Sequence, residues 1–323
     1  LVKGEKWGGG GAGTGLTLSF SFPWSTSGTA TFSGHDGLGD YSSLQEQNGS
    51  AHYGFNAEEQ AAARDALRGW SNLANIAFVE VPDTASNVGD IRFAWTSVAY
   101  REAWGWAGSP NGYWPSGGDV WVSTLNAETV TTSWAPGHYN YEALVHEIGH
   151  ALGLKHPFDD SPVLAGAQDS RLYTVMSYTD PPHNLYPSAG TVDGSYAWLT
   201  YRIEPETPML FDIAAIQYLY GANTGYRSGN DTYTFDRGRP FFKSIWDGGG
   251  SDTLSASNFT LGCVIDLTPG NYSSLHYPPP TDTGGVTPTY DGSDNLGIAF
   301  GCIIENAIGG TGNDTLTGND ADN

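Results

Sequence analysis

Basic residues are scarce in this chain. Lysine and arginine total 13 against 35 aspartates and glutamates, a formal net charge of −22. That balance leaves no positive footprint for a phosphate backbone or an anionic lipid surface, so neither nucleic acid nor membrane is an expected partner. No apolar run approaches the roughly 18 residues that a membrane-spanning helix requires. There are only two cysteines, Cys263 and Cys302, and neither lies near a histidine in sequence, which argues against a cysteine-bound zinc. There are only two methionines, so the place of each carries information. The opening residues are not expected to be a signal peptide. Leu1-Val2-Lys3 followed by Gly8 to Gly11 reads as an interior segment or a processed end.

What is present is concentrated in eleven residues. His146-Glu147-Ile148-Gly149-His150-Ala151-Leu152-Gly153-Leu154-Lys155-His156 has the form H-E-x-x-H-x-x-G-x-x-H, followed by Pro157. On a helix, His146 and His150 (i, i+4) share one face and can ligate one ion. Glu147 lies beside the first ligand and is placed to act on water rather than on the metal. Gly153 can adopt the left-handed conformation that ends the helix and brings His156 round as a third ligand. Three protein ligands with an open position describe a catalytic zinc site rather than a structural one. His35, His52, His138, His183 and His276 have no such spacing and are not expected to bind catalytic metal. Some twenty residues further on stands Val175-Met176-Ser177-Tyr178.

Around the motif the pattern is mixed. Residues 16–22 alternate as a half-buried strand, and 76–81, 91–95 and 119–122 also read as strands. Asn56 and Glu59 form a capping signal for a helix whose Ala63, Leu67, Trp70, Leu73 and Ala74 make a core stripe. The zinc helix is expected from about Tyr139 to Gly153, followed by a polar, proline-bearing loop over 157–172. Thr207-Pro208 is expected to open a second long helix, ended by Gly221. Beyond it no helical period remains, and the chain turns to glycine, aspartate and short β-prone runs.

With its histidine motif, His156-Pro157 pair and Met176 turn, the chain resembles the metzincin metalloproteases, and within them the serralysin branch of secreted bacterial endopeptidases. The Pro208–Asn223 segment resembles the last helix of that branch's catalytic domain. Asp247-Gly248-Gly249-Gly250-Ser251-Asp252 and Gly309 to Thr317 resemble its calcium-binding nonapeptides. The fold implied is α+β: a catalytic domain with a mixed sheet and the zinc helix over 1–222, then an all-β calcium-binding β-sandwich or parallel β-roll over 223–323, with Leu254 and Leu316 pointing inward. The acidic excess then reads as calcium binding, against a plain solvated surface or a glycine-rich sandwich. Because family members extend past both ends, a processed amino terminus and a roll truncated at Asn323 are expected.

The resemblance implies a set of roles. Zinc falls to His146, His150 and His156, with Tyr178 as a resting ligand that steadies the oxyanion. Glu147 is the catalytic base and Met176 a packed structural residue. Calcium falls to Arg227, Gly229, Asp231, Asp247, Gly249 and Asp252, then to Gly250 and Asp252 with Ile303 and Glu305, and to Gly310, Gly312 and Asp314. Ala103, Trp104, Gly105, Trp106 and Ala107 match the strand that pairs with substrate, the other reading being that the tryptophans are packing residues. Cys263 and Cys302 are expected to form a disulfide across neighbouring strands, the other reading being two buried thiols. The function implied is a secreted, monomeric zinc endopeptidase with protein and peptide substrates and broad specificity. Two other readings stand beside it: a calcium-binding adhesion or scaffold module with an inactive zinc site, and a structural zinc protein. Another metzincin branch is disfavoured by Pro157 and by the repeats.

Overall fold

The computed structural model describes residues 1–25, 28–34, 39–110, 113–126 and 133–323. Among these, two compact units form. One comprises Leu1–Ala135, Tyr139–Val163 and Ala215–Ala222, and the other Pro136–His138, Leu164–Ala214 and Asn223–Asn323.

The first unit is built on a mixed sheet. Its strands are β1 (Leu16–Ser21), β2 (His52–Gly54), β3 (Ile76–Glu80), β4 (Ile91–Thr96), β5 (Gly105–Ala107) and β6 (Val120–Ser123). The order is β3-β1-β4-β6-β5, with β2 also on β4. The β1, β3, β4 and β6 pairings are parallel, whereas β5 runs antiparallel to β6 at one edge. Strand β4 is buried along its whole length. Its one charged side chain, Arg92, is neutralised by a bidentate pair with Asp83 at 2.9 Å, as a buried guanidinium requires.

Helix α1 (Ala57–Leu73) starts where its capping box predicts: Asn56 accepts from the Glu58 and Glu59 N–H groups while Glu59 reaches back to Asn56. Its stripe of Ala63, Leu67, Trp70 and Leu73 is buried, and the Trp70 indole N–H reaches the Val145 carbonyl at 3.3 Å. That bond ties α1 to α2 (Tyr139–Ala151), which carries the first two histidines. The helix stops two residues short of Gly153, which takes φ +101. No Cβ fits at Gly153, since the Glu5 carbonyl lies 2.2 Å from where it would stand.

The second unit opens on a long hairpin, β7 (Leu185–Val192) with β8 (Ser195–Arg202). Its tip, Asp193-Gly194, has φ +50 and +80, the two left-handed residues of a type I′ turn. Short strands follow: β9 (Thr232–Thr234), β10 (Lys243–Ile245), β11 (Thr253–Ser255), β12 (Val264–Asp266), β13 (Tyr272–Ser273), β14 (Leu296–Ile298), β15 (Asn306–Ile308) and β16 (Thr315–Thr317). They pair mainly in parallel, as β9-β11-β15, β10-β14 and β12-β16. Leu254, Ile265, Leu296 and Ile298 fill the interior.

Three expectations are corrected here. Leu316 is half exposed rather than inward, because β16 is an edge strand paired only with β12. Helix α3 (Leu210–Tyr220) begins past Thr207-Pro208. The Thr207 hydroxyl instead accepts the Ser244 N–H at 2.9 Å, and Asp212 takes the Met209 N–H at 2.8 Å, the N3 half of a capping box. Cys263 and Cys302 are free thiols, both buried. They occupy different surroundings: the Cys263 sulfur faces the Leu261 carbonyl at 3.6 Å, while burial and the carboxylates of Asp247, Asp252 and Glu305 push the Cys302 thiol up to about 12.

Candidate metal centre

Helix α2 presents His146 and His150 one turn apart, and the left-handed turn at Gly153 brings His156 back onto them. One nitrogen from each ring falls in a cluster with all atoms within 4.8 Å of one another. The His150 and His156 Nε2 atoms are 3.0 Å apart. The opposite nitrogens are held separately: His150 Nδ1 by the Leu154 carbonyl at 3.0 Å, and His156 Nδ1 by Asp159 Oδ2 at 2.7 Å. That division assigns Nδ1 to the protein and Nε2 to a cation, the usual way a ligating imidazole is fixed. Burial, aided by the neighbouring His156 ring, lowers His150 to about 4, so it is neutral and able to ligate at ordinary pH.

Glu147 points to the same purpose. Its carboxylate is buried; one oxygen takes the Ala107 N–H, while Oε2 has no hydrogen-bond partner among the described residues. Burial, aided by Glu142, raises its carboxyl to about 8. A buried unsatisfied carboxylate oxygen is costly without a cation or water to answer it, and a nearby cation favours the ionised form. The donor set therefore fits zinc: three clustered imidazoles plus a carboxylate held back by a main-chain bond.

That bond comes from the sheet edge. In the β5–β6 ladder, Trp104 and Gly108 face β6, bonded to Ser123 and Asp119, so the alternate residues Gly105 and Ala107 face away from it. The Ala103–Trp106 segment thus ends in an edge strand. Its tryptophan rings, however, pack inward: Trp104 is buried with its indole N–H on Asn140 at 2.8 Å, and that of Trp106 reaches Glu46 at 2.9 Å. Their side chains are therefore engaged in packing, and the groups that the segment turns away from β6 are those of its main chain.

In the second unit, Met176 is fully buried and Tyr178 is exposed. Asp231, Asp247 and Asp252 gather carboxylate oxygens within 4.8 Å of one another. Burial raises Asp252, and Asp247 and Glu305 add to the effect; its Oδ2 has no hydrogen-bond partner among the described residues. Carbonyls crowd this turn. A Cβ at Gly250 would stand 1.8 Å from the Gly229 carbonyl, and one at Gly248 2.4 Å from that of Thr224. Glu305 adjoins through the Asp252 N–H at 2.6 Å, and Gly249 donates to Asp247 at 2.8 Å. Arg227 places its guanidinium 3.4 Å from Asp231. Ile303 is half exposed. Gly310, Gly312 and Asp314 do not join this cluster. They pack on residues 256–263, with Asp314 accepting the Cys263 N–H at 2.7 Å. His35 lies outside the described residues, and no other described histidine joins a metal-ligand cluster. Sequence reasoning missed Asp159, three positions past the last histidine, and the bond from the Ala107 N–H to Glu147, which depends on sheet pairing.

A histidine triad carried by a helix and its terminal turn, with a glutamate bonded to the edge of a mixed sheet, defines a metzincin-type centre. The Matrixin family model matches residues 48–175, and the model for the Peptidase M10 serralysin C terminal matches 212–323. The chain is 37% identical over 306 residues to a serralysin of Proteus mirabilis, covering 84% of this chain and 56% of the relative. It is also 37% identical over 290 residues to metallopeptidase AprA of Pseudomonas marginalis, covering 83% and 56%. Serralysin C of Dickeya chrysanthemi is 34% identical over 284 residues, covering 81% and 54%. The chain belongs to the serralysin-like metzincins, and it spans about half the length of the curated relatives it matches.

Proposed function

We propose that this chain is a secreted zinc endopeptidase that hydrolyses peptide bonds of proteins with broad specificity. The observation that carries the reading is the buried, unpartnered Glu147 Oε2 beside the three-imidazole cluster. Zinc held by His146, His150 and His156 supplies Lewis-acid polarisation of the scissile carbonyl and acidifies water. Glu147 accepts the proton of the attacking water through Oε2 and delivers it to the departing amine. Its other oxygen stays on Ala107, which fixes the direction of transfer. The outward main-chain groups of Gly105 can pair with an extended peptide, and pairing of that kind tolerates many sequences. Tyr178, carried over from the family pattern, steadies the oxyanion.

We divide the chain into a catalytic domain, 1–222, and a calcium-binding β domain, 223–323; two family models matching successive stretches, 48–175 and 212–323, support two domains, while the boundary after Ala222 rests on the family resemblance of the helix before it. Asp231, Asp247, Asp252 and Glu305, with the surrounding carbonyls, suit a hard cation, so calcium is assigned a structural role there. A monomer acting on protein substrates is the simplest form of this reading.

The test is zinc content and casein cleavage before and after zinc chelation, with zinc then restored at constant calcium. One zinc lost and regained together with cleavage supports the proposal. One bound zinc without cleavage overturns it in favour of a calcium-binding module.

A further inference from the structure

Lys155 separates the carbonyl that holds His150 from the third histidine itself. Its side chain is buried, 8% exposed, and its Nζ donates to three main-chain carbonyls: Asp159 at 2.5 Å, Asp160 at 2.5 Å and Pro162 at 3.1 Å. A buried ammonium is costly unless all three donors are answered, and here each finds a carbonyl. Carbonyls from so short a stretch converge only if the chain curls around the charge. Asp160 does so at φ +34, the left-handed region that a residue with a side chain avoids. The loop is therefore wrapped on the lysine.

The same loop supplies Asp159. Its carbonyl is held by Lys155 while its Oδ2 lies 2.7 Å from His156 Nδ1. The main chain of Lys155 is anchored independently, its N–H on the Leu1 carbonyl at 2.7 Å, so removing the ammonium frees the loop and leaves the turn before His156 tied.

We propose that Lys155 is a positioning residue for the metal centre: its caged ammonium sets the 159–162 loop so that Asp159 holds His156 with Nδ1 protonated and Nε2 turned to the cation. The inference rests on the zinc reading above. A carboxylate in this position raises the basicity of the ligating imidazole and fixes its ring, and losing such a partner weakens metal binding about 10–100-fold. Lys155 therefore acts on affinity through Asp159, which makes the two residues energetically one unit.

The experiment measures zinc release from the 323-residue chain to a chromophoric chelator. It compares wild type with Lys155→Met, Lys155→Gln, Lys155→Arg, Asp159→Asn and the Lys155→Met/Asp159→Asn double variant. Lys155→Met and Asp159→Asn should each speed release about tenfold or more, the double variant should add little, and Lys155→Arg, which keeps charge and donors, should recover part of the loss. If Lys155→Met does not fold, Lys155→Gln takes its place in the cycle. Release at the wild-type rate from a folded Lys155 variant overturns the inference, as does an effect that multiplies independently with that of Asp159→Asn. A wild-type chain that takes up no zinc overturns both this inference and the reading it rests on.

Discussion

Asp212, in the first turn of α3, accepts the N–H of Val175 at 2.8 Å. The same carboxylate takes the Thr174 hydroxyl at 2.5 Å and the Met209 N–H at 2.8 Å. One fully buried side chain thus pins the turn that leads into Met176 to the start of a helix more than thirty residues later. Asp212→Ala would leave two N–H groups and a hydroxyl buried and unanswered, each at about 1–3 kcal/mol. We expect a loss of about 3–5 kcal/mol in urea unfolding followed by circular dichroism. A loss below about 1 kcal/mol would mean that water takes over the role.

Glu147→Gln keeps the shape of the side chain and an acceptor for Ala107, and removes the base of the proposed mechanism. Peptide hydrolysis should fall by about 10²–10⁴ in kcat/KM, with zinc stoichiometry unchanged, since the proposal leaves Glu147 outside the ligand set. Parallel loss of metal and activity would move Glu147 into the ligand set.

How much of this was legible in the sequence depended on the distance over which each feature is determined. The histidine spacing, the Asn56–Glu59 capping box and the glycine stops at 153 and 221 are local. The structure places them where the residues predict, with strand ends shifted by about a residue. The Asp193-Gly194 hairpin was also local but was overlooked, although its dipeptide is a strong turn signal. Asp159 and Lys155 could not be read, since their roles arise only when the loop folds back on itself. The two cysteines misled for the same reason. Their burial follows from composition, whereas their partners follow from which strands of the β domain become neighbours.

The acidic turn of the β domain is expected to depend on calcium for stability. Three carboxylates within 4.8 Å repel one another, and a cation at about a hundred times its Kd contributes about 2.7 kcal/mol. A rise of about 5 °C in the melting temperature between chelator and saturating calcium is expected. Gly250→Ala should abolish most of that rise, because its Cβ would overlap the Gly229 carbonyl at φ +151. Equal rises in both proteins would place the calcium elsewhere.

Asp119 offers a test against pH that is separate from either metal cluster. Its carboxylate accepts the Arg92 N–H at 2.9 Å and the Tyr41 hydroxyl, yet burial pushes it from 3.8 up to about 7. Burial prevails because the nearby guanidinium of Arg92 already pairs with both oxygens of Asp83. With the folded value above the unfolded one, the stability that Asp119 contributes is fully present below about pH 3.8 and is lost as pH rises through about 7. Asn at this position cannot titrate. The unfolding free energy of Asp119→Asn, relative to wild type, should therefore climb between pH 4 and pH 7 by a few kcal/mol, on the order of 3. Calcium binding and the other carboxylates change with pH in both proteins, so they cancel in the difference. Urea unfolding of the pair at four pH values across that window reads it directly. Parallel curves would mean that Asp119 titrates as an ordinary exposed carboxyl, and that its buried place between Tyr41 and Arg92 is already compensated by hydrogen bonding.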